Sequence, residues 1–518
     1  MFPLLLAAST TYFTTLRLRT YLHPFQQEEY DNTRLAQWWI EKRAFDRYAS
    51  LGLAIGVPFG FWQPLAPVLN AIVWLVLKSR QEPDPTRTAK KALVMTPRAT
   101  HTWYLASLLV VPAIVALAVA PVAPWLQMLG LIVLIQMLPL ALMIANILLK
   151  PLQSYQNRKY LTEAHTLLAR LAPTTVGITG SFGKTSTKYI LNHILGSSAP
   201  TLSTPGSVNT PLGIARIVRE QLQPQHQYFL AEMGAYGPGS IAGLCKLAPP
   251  SIACITAVGQ AHYERFKSLE TVAQAKFEIP DALWQPRVAQ APESYVLVTS
   301  RPEILRGPHD YYIEKAEATS TGQTLTLAHG GTSTPFHAPI HGAVQSGNLA
   351  VAFAVASELG LPAKTIAASM ATAQPAPYRL NVQHNGRQTI LDDSYNANPQ
   401  GFAAALETLS LQAHADPAHP RRRVLITPGM VELGKAHDAE HARLGALAAT
   451  HADVILAIGP ARIPTFIQAV KQNASQAELH TFPSLQVART WVQAHGQPDD
   501  VILIANDLPD RYESRWEL

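Results

Sequence analysis

Apolar residues are concentrated in the first 150 positions of the chain. Three stretches there are almost free of charge, at residues 51–77, 103–121 and 125–149. Each is about as long as a helix that crosses a hydrocarbon core of roughly 30 Å. A weaker stretch, residues 1–16, is short and rich in threonine. The pattern predicts a transmembrane helical region of three to four apolar segments over residues 1–150, and buried core helices are the alternative.

Basic residues beside these stretches predict an orientation. The segments that follow residues 77 and 149 are rich in lysine and arginine: Lys78, Arg80, Arg87, Lys90, Lys91 and Arg98, then Lys150, Arg158 and Lys159. Because basic loops stay on the cytoplasmic side, we expect a multi-pass protein of the bacterial inner (cytoplasmic) membrane whose large C-terminal part faces the cytoplasm. Residues 51–77 contain several prolines, so a single crossing and a re-entrant hairpin both stay open.

The pattern changes after an amphipathic stretch at residues 151–173, which is predicted to be a linker helix. From residue 174 onward, short apolar strands alternate with Ala- and Leu-rich helices, a rhythm typical of α/β folds. We therefore expect an α/β architecture with a mostly parallel sheet in a central domain (174–375). A C-terminal Rossmann-like α/β domain (376–518) follows it, and residues 311–327 predict a small strand-rich addition.

Composition narrows the possible partners. Charged residues make up 15% of the chain and the formal net charge is +6. Part of this positive charge lies beside the apolar stretches, where it favours anionic membrane lipid as a partner, and no nucleic-acid module is visible. Cys245 and Cys254 lie in apolar surroundings without metal-ligand spacing, which argues against a disulfide scaffold or a zinc site.

The segment TVGITGSFGKTST at residues 175–187 has the features of a phosphate-binding loop. A β-branched strand runs into a glycine turn, and a helix is expected to begin near Lys184. Backbone N–H groups of such a turn and the helix N-terminus bind phosphate oxygens. Lys184 would reach the β- and γ-phosphates of ATP, and the Thr185 hydroxyl would ligate Mg²⁺. The predicted nucleotide-binding residues of this loop are Gly180, Ser181, Gly183, Lys184, Thr185 and Ser186.

This loop is shorter than the strict GxxxxGK[ST] form and resembles that of the Mur ligases. Further segments resemble the family in its order along the chain: SVNTPLG (207–213), AEMGA (231–235), QAHYERF (260–266), AKFEI (275–279), LDDSYNANP (391–399) and MVELG (430–434). The last two are most similar to the members that add D-alanyl-D-alanine to a muramoyl tripeptide. The resemblance covers about two thirds of the chain, from residue 174 onward.

The resemblance implies roles for particular residues. Glu232 and Thr185 would hold one Mg²⁺, and His262 would help to hold a second. Lys276 would be carbamylated and support that second metal, so Lys184, His262 and Lys276 are the expected catalytic residues. The remaining nucleotide contacts would be Asn209 near the γ-phosphate, Asn348 near adenine, Arg379 at the hinge between domains and Asp393 on the ribose.

Four departures from the family pattern affect the expected nucleotide recognition and substrates. Only Gly342 and Asn348 survive in the adenine-proximal segment, and residues 428–430 read PGM where the family has GDM. Residues 505–508 (ANDL) replace a Lys-Gly-Ser-Arg motif. The membrane region stands where the family has a soluble domain for the UDP-linked substrate, so we expect a lipid-linked carboxylate substrate.

These features predict a membrane-tethered ligase that forms an amide bond through an acyl phosphate, with release of ADP and phosphate. The expected cofactors are ATP and Mg²⁺. A muropeptide-like acceptor would react with an amino acid or dipeptide amine in cell-wall assembly. The alternatives are an ordinary D-alanyl-D-alanine-adding ligase that uses a UDP-linked muramoyl tripeptide, and a non-ligase ATP-regulated membrane scaffold.

Overall fold

The computed structural model describes residues 1–41, 44–59, 63, 65–87, 92–257, 259, 266, 268–279, 298–299, 310–395, 398–431, 433–473 and 477–506. The chain forms two compact units, one up to Asn157 and one that starts at Arg158. The domain boundaries predicted within the second unit stay predictions.

Helices form all of the described regular structure before residue 174. They are α1 (Phe2–Gln27), α2 (Asn32–Glu41), α3 (Arg47–Phe59), α4 (Ala66–Gln81), α5 (Pro97–Val119), α6 (Pro124–Gln136) and α7 (Leu138–Leu171). Helix α5 begins where the Thr96 side chain accepts a hydrogen bond from the Ala99 N–H, with Pro97 at the first helical position. Helix α7 joins part of the third apolar stretch and the predicted linker into one 34-residue helix.

The predicted multi-pass membrane region is wrong. Among the described residues, only α5 is by itself long and apolar enough to cross a membrane, and α6 with α7 meets the same test only as a pair bent by 53°. Within residues 51–77 the structure describes two helices, α3 up to Phe59 and α4 from Ala66, with Pro67 in the first turn of α4. One or two such helices are weak evidence for spans, since core helices pass the same test. The predicted multi-pass inner-membrane localisation is therefore corrected, and the predicted membrane-lipid partner is not supported.

Charged side chains are buried inside the unit that these helices form. Arg17 Nη2 lies 3.1 Å from Asp46 Oδ2 and 3.0 Å from Glu82 Oε2, and all three side chains are at most 5% exposed. Thr20 donates a further hydrogen bond to Glu82, and the Tyr21 hydroxyl donates to the Ala44 carbonyl over 3.1 Å. Burial raises the pKa of Glu82 despite its arginine partner.

The second unit begins with a four-stranded parallel sheet in the order β2-β3-β1-β4. Its strands are β1 (Thr174–Thr179), β2 (Thr201–Ser203), β3 (Tyr228–Glu232) and β4 (Ile252–Ile255). The helices among and after them are α8 (Lys184–Gly196), α9 (Pro211–Gln221), α10 (Ser240–Leu247) and α11 (Leu269–Lys276). Strand β1 is central and almost wholly buried, so its carboxyl end holds the following loop in place.

A small mixed sheet follows, in the order β5-β6-β7-β8, from β5 (Val298–Thr299), β6 (Tyr311–Thr319), β7 (Gly322–His329) and β8 (Thr332–Ala338). The strand-rich addition predicted at 311–327 lies here and extends through β8. Helices α12 (Gln345–Glu358) and α13 (Ala363–Met370) come next. Phe336 and Phe353 stack with ring centroids 5.4 Å apart, which ties α12 to this sheet.

The last six described strands form a sheet in the order β13-β12-β11-β14-β10-β9. They are β9 (Asn381–His384), β10 (Thr389–Asp393), β11 (Arg423–Thr427), β12 (Val454–Ile458), β13 (Glu478–Phe482) and β14 (Val501–Ala505). All pairs are parallel except β9 with β10. The helices between them are α14 (Pro399–Ala413), α15 (His437–His451), α16 (Pro464–Asn473) and α17 (Leu485–His495). The α/β prediction from residue 174 onward is confirmed.

Candidate functional site

The loop between β1 and α8 is shaped by two glycines in the left-handed region. Gly180 has φ +146° and Gly183, which precedes the first residue of α8, has φ +84°. A Cβ atom would lie 2.1 Å from Thr256 Oγ1 at the first position and 2.1 Å from Asn348 Oδ1 at the second. Both positions therefore require glycine, and the loop can turn closely enough to present its N–H groups to an anion.

Lys184 is folded back onto this loop. Its Nζ donates to the Gly180 carbonyl at 2.7 Å and to the Ser181 carbonyl at 3.4 Å. Burial lowers the pKa of Lys184, and the Glu232 carboxylate counteracts part of that effect. Weak neutral acceptors hold the ammonium, so the more strongly accepting oxygens of a phosphate can replace them.

Glu232 lies at the end of β3 and is 1% exposed. Its Oε2 accepts a hydrogen bond from the Thr185 hydroxyl at 3.0 Å and another from Lys188 Nζ at 2.9 Å. Its Oε1 accepts from Asn209 Nδ2 at 3.2 Å. The parallel sheet thus brings together three residues that the sequence predicted for one site, Thr185, Asn209 and Glu232.

Lys276 lies in the last turn of α11 and is 3% exposed. Burial and the positive charge of Lys184 lower its pKa to about 7. A lysine in such surroundings is neutral in a large fraction of molecules near pH 7, which suits an amine that is to be carbamylated. Its carbamylation stays a prediction, and His262 lies outside the described residues.

Arg379 belongs to the segment that joins α13 to β9. The residues on either side of it have left-handed backbone, with φ +61° at Tyr378 and φ +51° at Leu380. The Arg379 guanidinium lies 4.9 Å from the centroid of the Tyr395 ring. Left-handed residues that are not glycine carry strain, which the surrounding structure must offset. This backbone brings Arg379 to a small polar cavity of about 50 Å³ that it lines together with Asn398 and loop residues 181–186.

Asp393, at the end of β10, holds the segment that contains Arg379 through a hydrogen bond. Its Oδ1 accepts a hydrogen bond from the Leu380 N–H at 3.1 Å. Burial raises the pKa of Asp393 to about 7, even though Arg379 acts to lower it. Its predicted contact with a nucleotide ribose is untested.

Asn348, predicted near adenine, lies beside the phosphate loop. Its Oδ1 accepts from the Thr187 hydroxyl at 3.2 Å and its Nδ2 donates to Gln345 Oε1 at 2.7 Å. Both ends of this amide are thus bonded within the protein, and its contact with the base stays a prediction.

Two protein-family models match the part of the chain that contains this site. Residues 178–356 match the model of the Mur ligase middle domain, and residues 378–506 match that of the Mur ligase, glutamate ligase domain. The UDP-N-acetylmuramoyl-tripeptide–D-alanyl-D-alanine ligase of Mycobacterium leprae is 31% identical over 368 residues, which cover 64% of this chain and 70% of that protein. The chain belongs to the Mur ligase family.

Two other comparisons define how far the likeness extends. The ligase of the same name from Mycobacterium tuberculosis strain H37Rv is 33% identical over 293 residues, 53% of this chain and 56% of that protein. A crystal structure of MurF from Acinetobacter baumannii matches with a TM-score of 0.57 and 26% identity, and the match covers 70% of this chain and 78% of that one. The chain spans little more than half the length of the first curated relatives that it matches.

Mur ligases use ATP and Mg²⁺, and the described residues fit both. The cavity beside Lys184 and Arg379 would take the oxygens of a phosphate group. The Thr185 hydroxyl and a carboxylate oxygen of Glu232 would ligate Mg²⁺. Mg²⁺ is commonly held by one or two carboxylates together with substrate phosphates and water. Among the described residues no three His, Cys, Asp or Glu side chains form a metal-binding group.

Lys188 is a residue of this Mur ligase site that the sequence analysis missed. It lies four residues after Lys184, so the two side chains emerge from the same face of α8. That spacing was the available signal, but a helical lysine is ordinarily exposed and Lys188 is fully buried.

A larger cavity of about 560 Å³ lies elsewhere, lined by residues 415–416, 419–422 and 497–500. It is at the amino ends of β11 and β14, whereas ligands of parallel α/β sheets bind at the carboxyl ends. Two of the charged residues that line it, Arg422 and Asp500, form an ion pair at 2.8 Å. We assign it no role in the Mur ligase site.

Proposed function

We propose that this Mur ligase is an ATP-dependent carboxylate–amine ligase that adds D-alanyl-D-alanine to a UDP-linked muramoyl tripeptide in peptidoglycan assembly. The observation that carries the proposal is the site around α8. There Lys184 and Arg379 line the cavity of the phosphate loop, and Thr185 is bonded to the buried carboxylate of Glu232. The names of the relatives from Mycobacterium support this choice of substrates.

Each residue has a task that its chemistry suits. Lys184 and Arg379 would bind phosphate oxygens, and the strained backbone around Arg379 holds its guanidinium in place before the substrate arrives. Thr185 and Glu232 would hold Mg²⁺, which neutralises phosphate charge when bound. The substrate carboxylate would take the γ-phosphoryl group to become an acyl phosphate, and the amine would then displace phosphate.

We do not propose a lipid-linked carboxylate as the substrate. That expectation depended on a region with several membrane spans in place of a substrate domain, and the helices of the first unit do not meet it. The alternative, an ordinary ligase that uses a UDP-linked muramoyl tripeptide, agrees better with the names of the relatives.

The carboxyl ends of β11 and β14 are the place for the incoming amine in this proposal. Met430 N–H donates to His441 Nε2 at 3.0 Å, and Asn506 Nδ2 donates to the Gly429 carbonyl at 2.7 Å. Burial lowers the pKa of His441 to about 4, so the ring is neutral and can accept this hydrogen bond. Asn506 N–H also bonds to the Asp393 carbonyl at 3.0 Å, which joins the segment to β10.

The test is ADP release by the full chain with Mg²⁺-ATP and UDP-muramoyl tripeptide, with D-alanyl-D-alanine or single amino acids as the amine. We expect turnover with the dipeptide and a product whose mass is that of the UDP-muramoyl pentapeptide. Lys184→Ala should reduce turnover about 100-fold or more, because a charge-stabilising donor is lost. Lys246→Ala, which removes an exposed lysine of α10, is the matched control. Turnover with single amino acids alone would contradict the proposed amine.

A further inference from the structure

A buried ion pair lies behind the proposed cation ligands. Lys188 Nζ is 2.9 Å from Glu232 Oε2, and each side chain is 1% exposed. Removing two charges from water is costly, and only close pairing with further hydrogen bonds offsets that cost. A contribution to stability alone therefore does not explain why this buried pair is present.

Lys188 and Thr185 share the same oxygen of Glu232. The Thr185 hydroxyl donates to Oε2 at 3.0 Å, while Asn209 occupies Oε1 at 3.2 Å. A divalent cation held by Thr185 and Glu232 would use the oxygen that Lys188 already neutralises. A positive charge so close to a carboxylate lowers its affinity for a second cation.

Lys188 also has partners that do not depend on Glu232. Its Nζ donates to the Gly206 carbonyl at 2.5 Å and lies 3.5 Å from Thr204 Oγ1. Thr204 Oγ1 accepts from the Glu232 N–H at 3.2 Å. The ammonium group is therefore anchored to the segment between β2 and Asn209 as well as to Glu232.

We propose that Lys188 acts through Glu232, by neutralising its carboxylate, to oppose tight binding of the divalent cation until nucleotide phosphates are present. The proposal rests on the proposed function in taking Thr185 and Glu232 as the cation site. Phosphate oxygens add negative charge on the far side of the cation and offset the charge of Lys188. The cation then enters together with the nucleotide.

The test measures binding of Mn²⁺ alone to the full chain by electron paramagnetic resonance, with and without ADP. Lys188→Met should bind Mn²⁺ about 10-fold more tightly without nucleotide. The gain in Mn²⁺ affinity that ADP brings should shrink by a similar factor. The matched control Lys246→Met should behave as the unaltered chain. A purely structural role predicts the opposite sign, because Glu232 would lose its anchor, so unchanged or weaker Mn²⁺ binding overturns the proposal.

Two further variants keep the test decisive if Lys188→Met fails to fold. Lys188→Gln keeps a hydrogen-bond donor without the charge and should also bind Mn²⁺ more tightly, whereas Lys188→Arg keeps the charge and should not. Equal Mn²⁺ affinities for these two variants would overturn the proposal. Failure of the proposed function is seen separately, as absent ligation or as a Glu232→Gln variant that binds Mn²⁺–ADP as well as the unaltered chain does.

Discussion

At the scale of single residues, Asp393 shows how burial creates a pH dependence. Its carboxyl group lies beneath the segment that carries Arg379, and its pKa rises from the ordinary 3.8 to about 7 because burial outweighs the attraction of the arginine. The folded chain therefore holds a proton there that the unfolded chain releases. Stability from this group is present in full below about pH 4 and is lost as the pH rises through 7.

Asp393→Asn should remove this dependence. The variant should gain stability relative to the unaltered chain between pH 5 and pH 8, by about 2 kcal/mol or more, since one pKa unit corresponds to about 1.4 kcal/mol. Urea unfolding at the two pH values measures the difference. Glu407→Gln, an exposed neutral replacement on α14, controls for the loss of a carboxylate. Parallel pH profiles for Asp393→Asn and the unaltered chain would refute the prediction.

At the scale of elements, helix α8 has a glycine before its first residue and another as its last. Gly183 has φ +84° and no room for a Cβ atom beside Asn348, whereas a Cβ at Gly196 would meet nothing within 4 Å. The same substitution should therefore have opposite effects at the two ends.

Gly183→Ala should cost about 1–3 kcal/mol in the free energy of unfolding and weaken binding of a fluorescent ATP analogue. Gly196→Ala should leave binding unchanged and stabilise the chain by about 0.4–1 kcal/mol, because it restricts the unfolded chain. Thermal unfolding and fluorescence titration measure both. Equal effects of the two substitutions would show that the turn does not depend on left-handed backbone.

At the scale of the whole molecule, the two compact units have different kinds of core. The first is a set of helices around the buried cluster of Arg17, Asp46 and Glu82. The second is built on sheets, two of them wholly or mostly parallel, and contains the phosphate loop. Perturbations of the two units can therefore be told apart in one calorimetric experiment.

Arg17→Met should lower the free energy of unfolding of the first unit by about 3–5 kcal/mol, because it leaves two buried carboxylates without their cation. Mg²⁺-ADP should raise the midpoint temperature at which the second unit unfolds, since a ligand stabilises the unit that binds it. Arg87→Met, in which an arginine that is 86% exposed is replaced, should change neither. Loss of the ADP-dependent shift in Arg17→Met would contradict the assignment of these two features to separate units.

The sequence by itself determined the local features whose cause lies within a few residues. A glycine turn between a strand and a helix predicts a phosphate loop, and the alternation of strands and helices from residue 174 predicts an α/β fold. Capping residues such as Thr210 and Asn398, each followed by proline, likewise lie at helix starts. The order of motifs along the chain was enough to suggest the Mur ligase family.

Only the tertiary structure decided the features that depend on distant parts of the chain. Apolar composition predicted spans at residues 51–77, but composition does not show where α3 ends and α4 begins. No local pattern reveals that Lys188 is buried against Glu232, 44 residues away. Such contacts follow from which strands are neighbours in a sheet and which helix face is covered, and these are properties of the folded molecule.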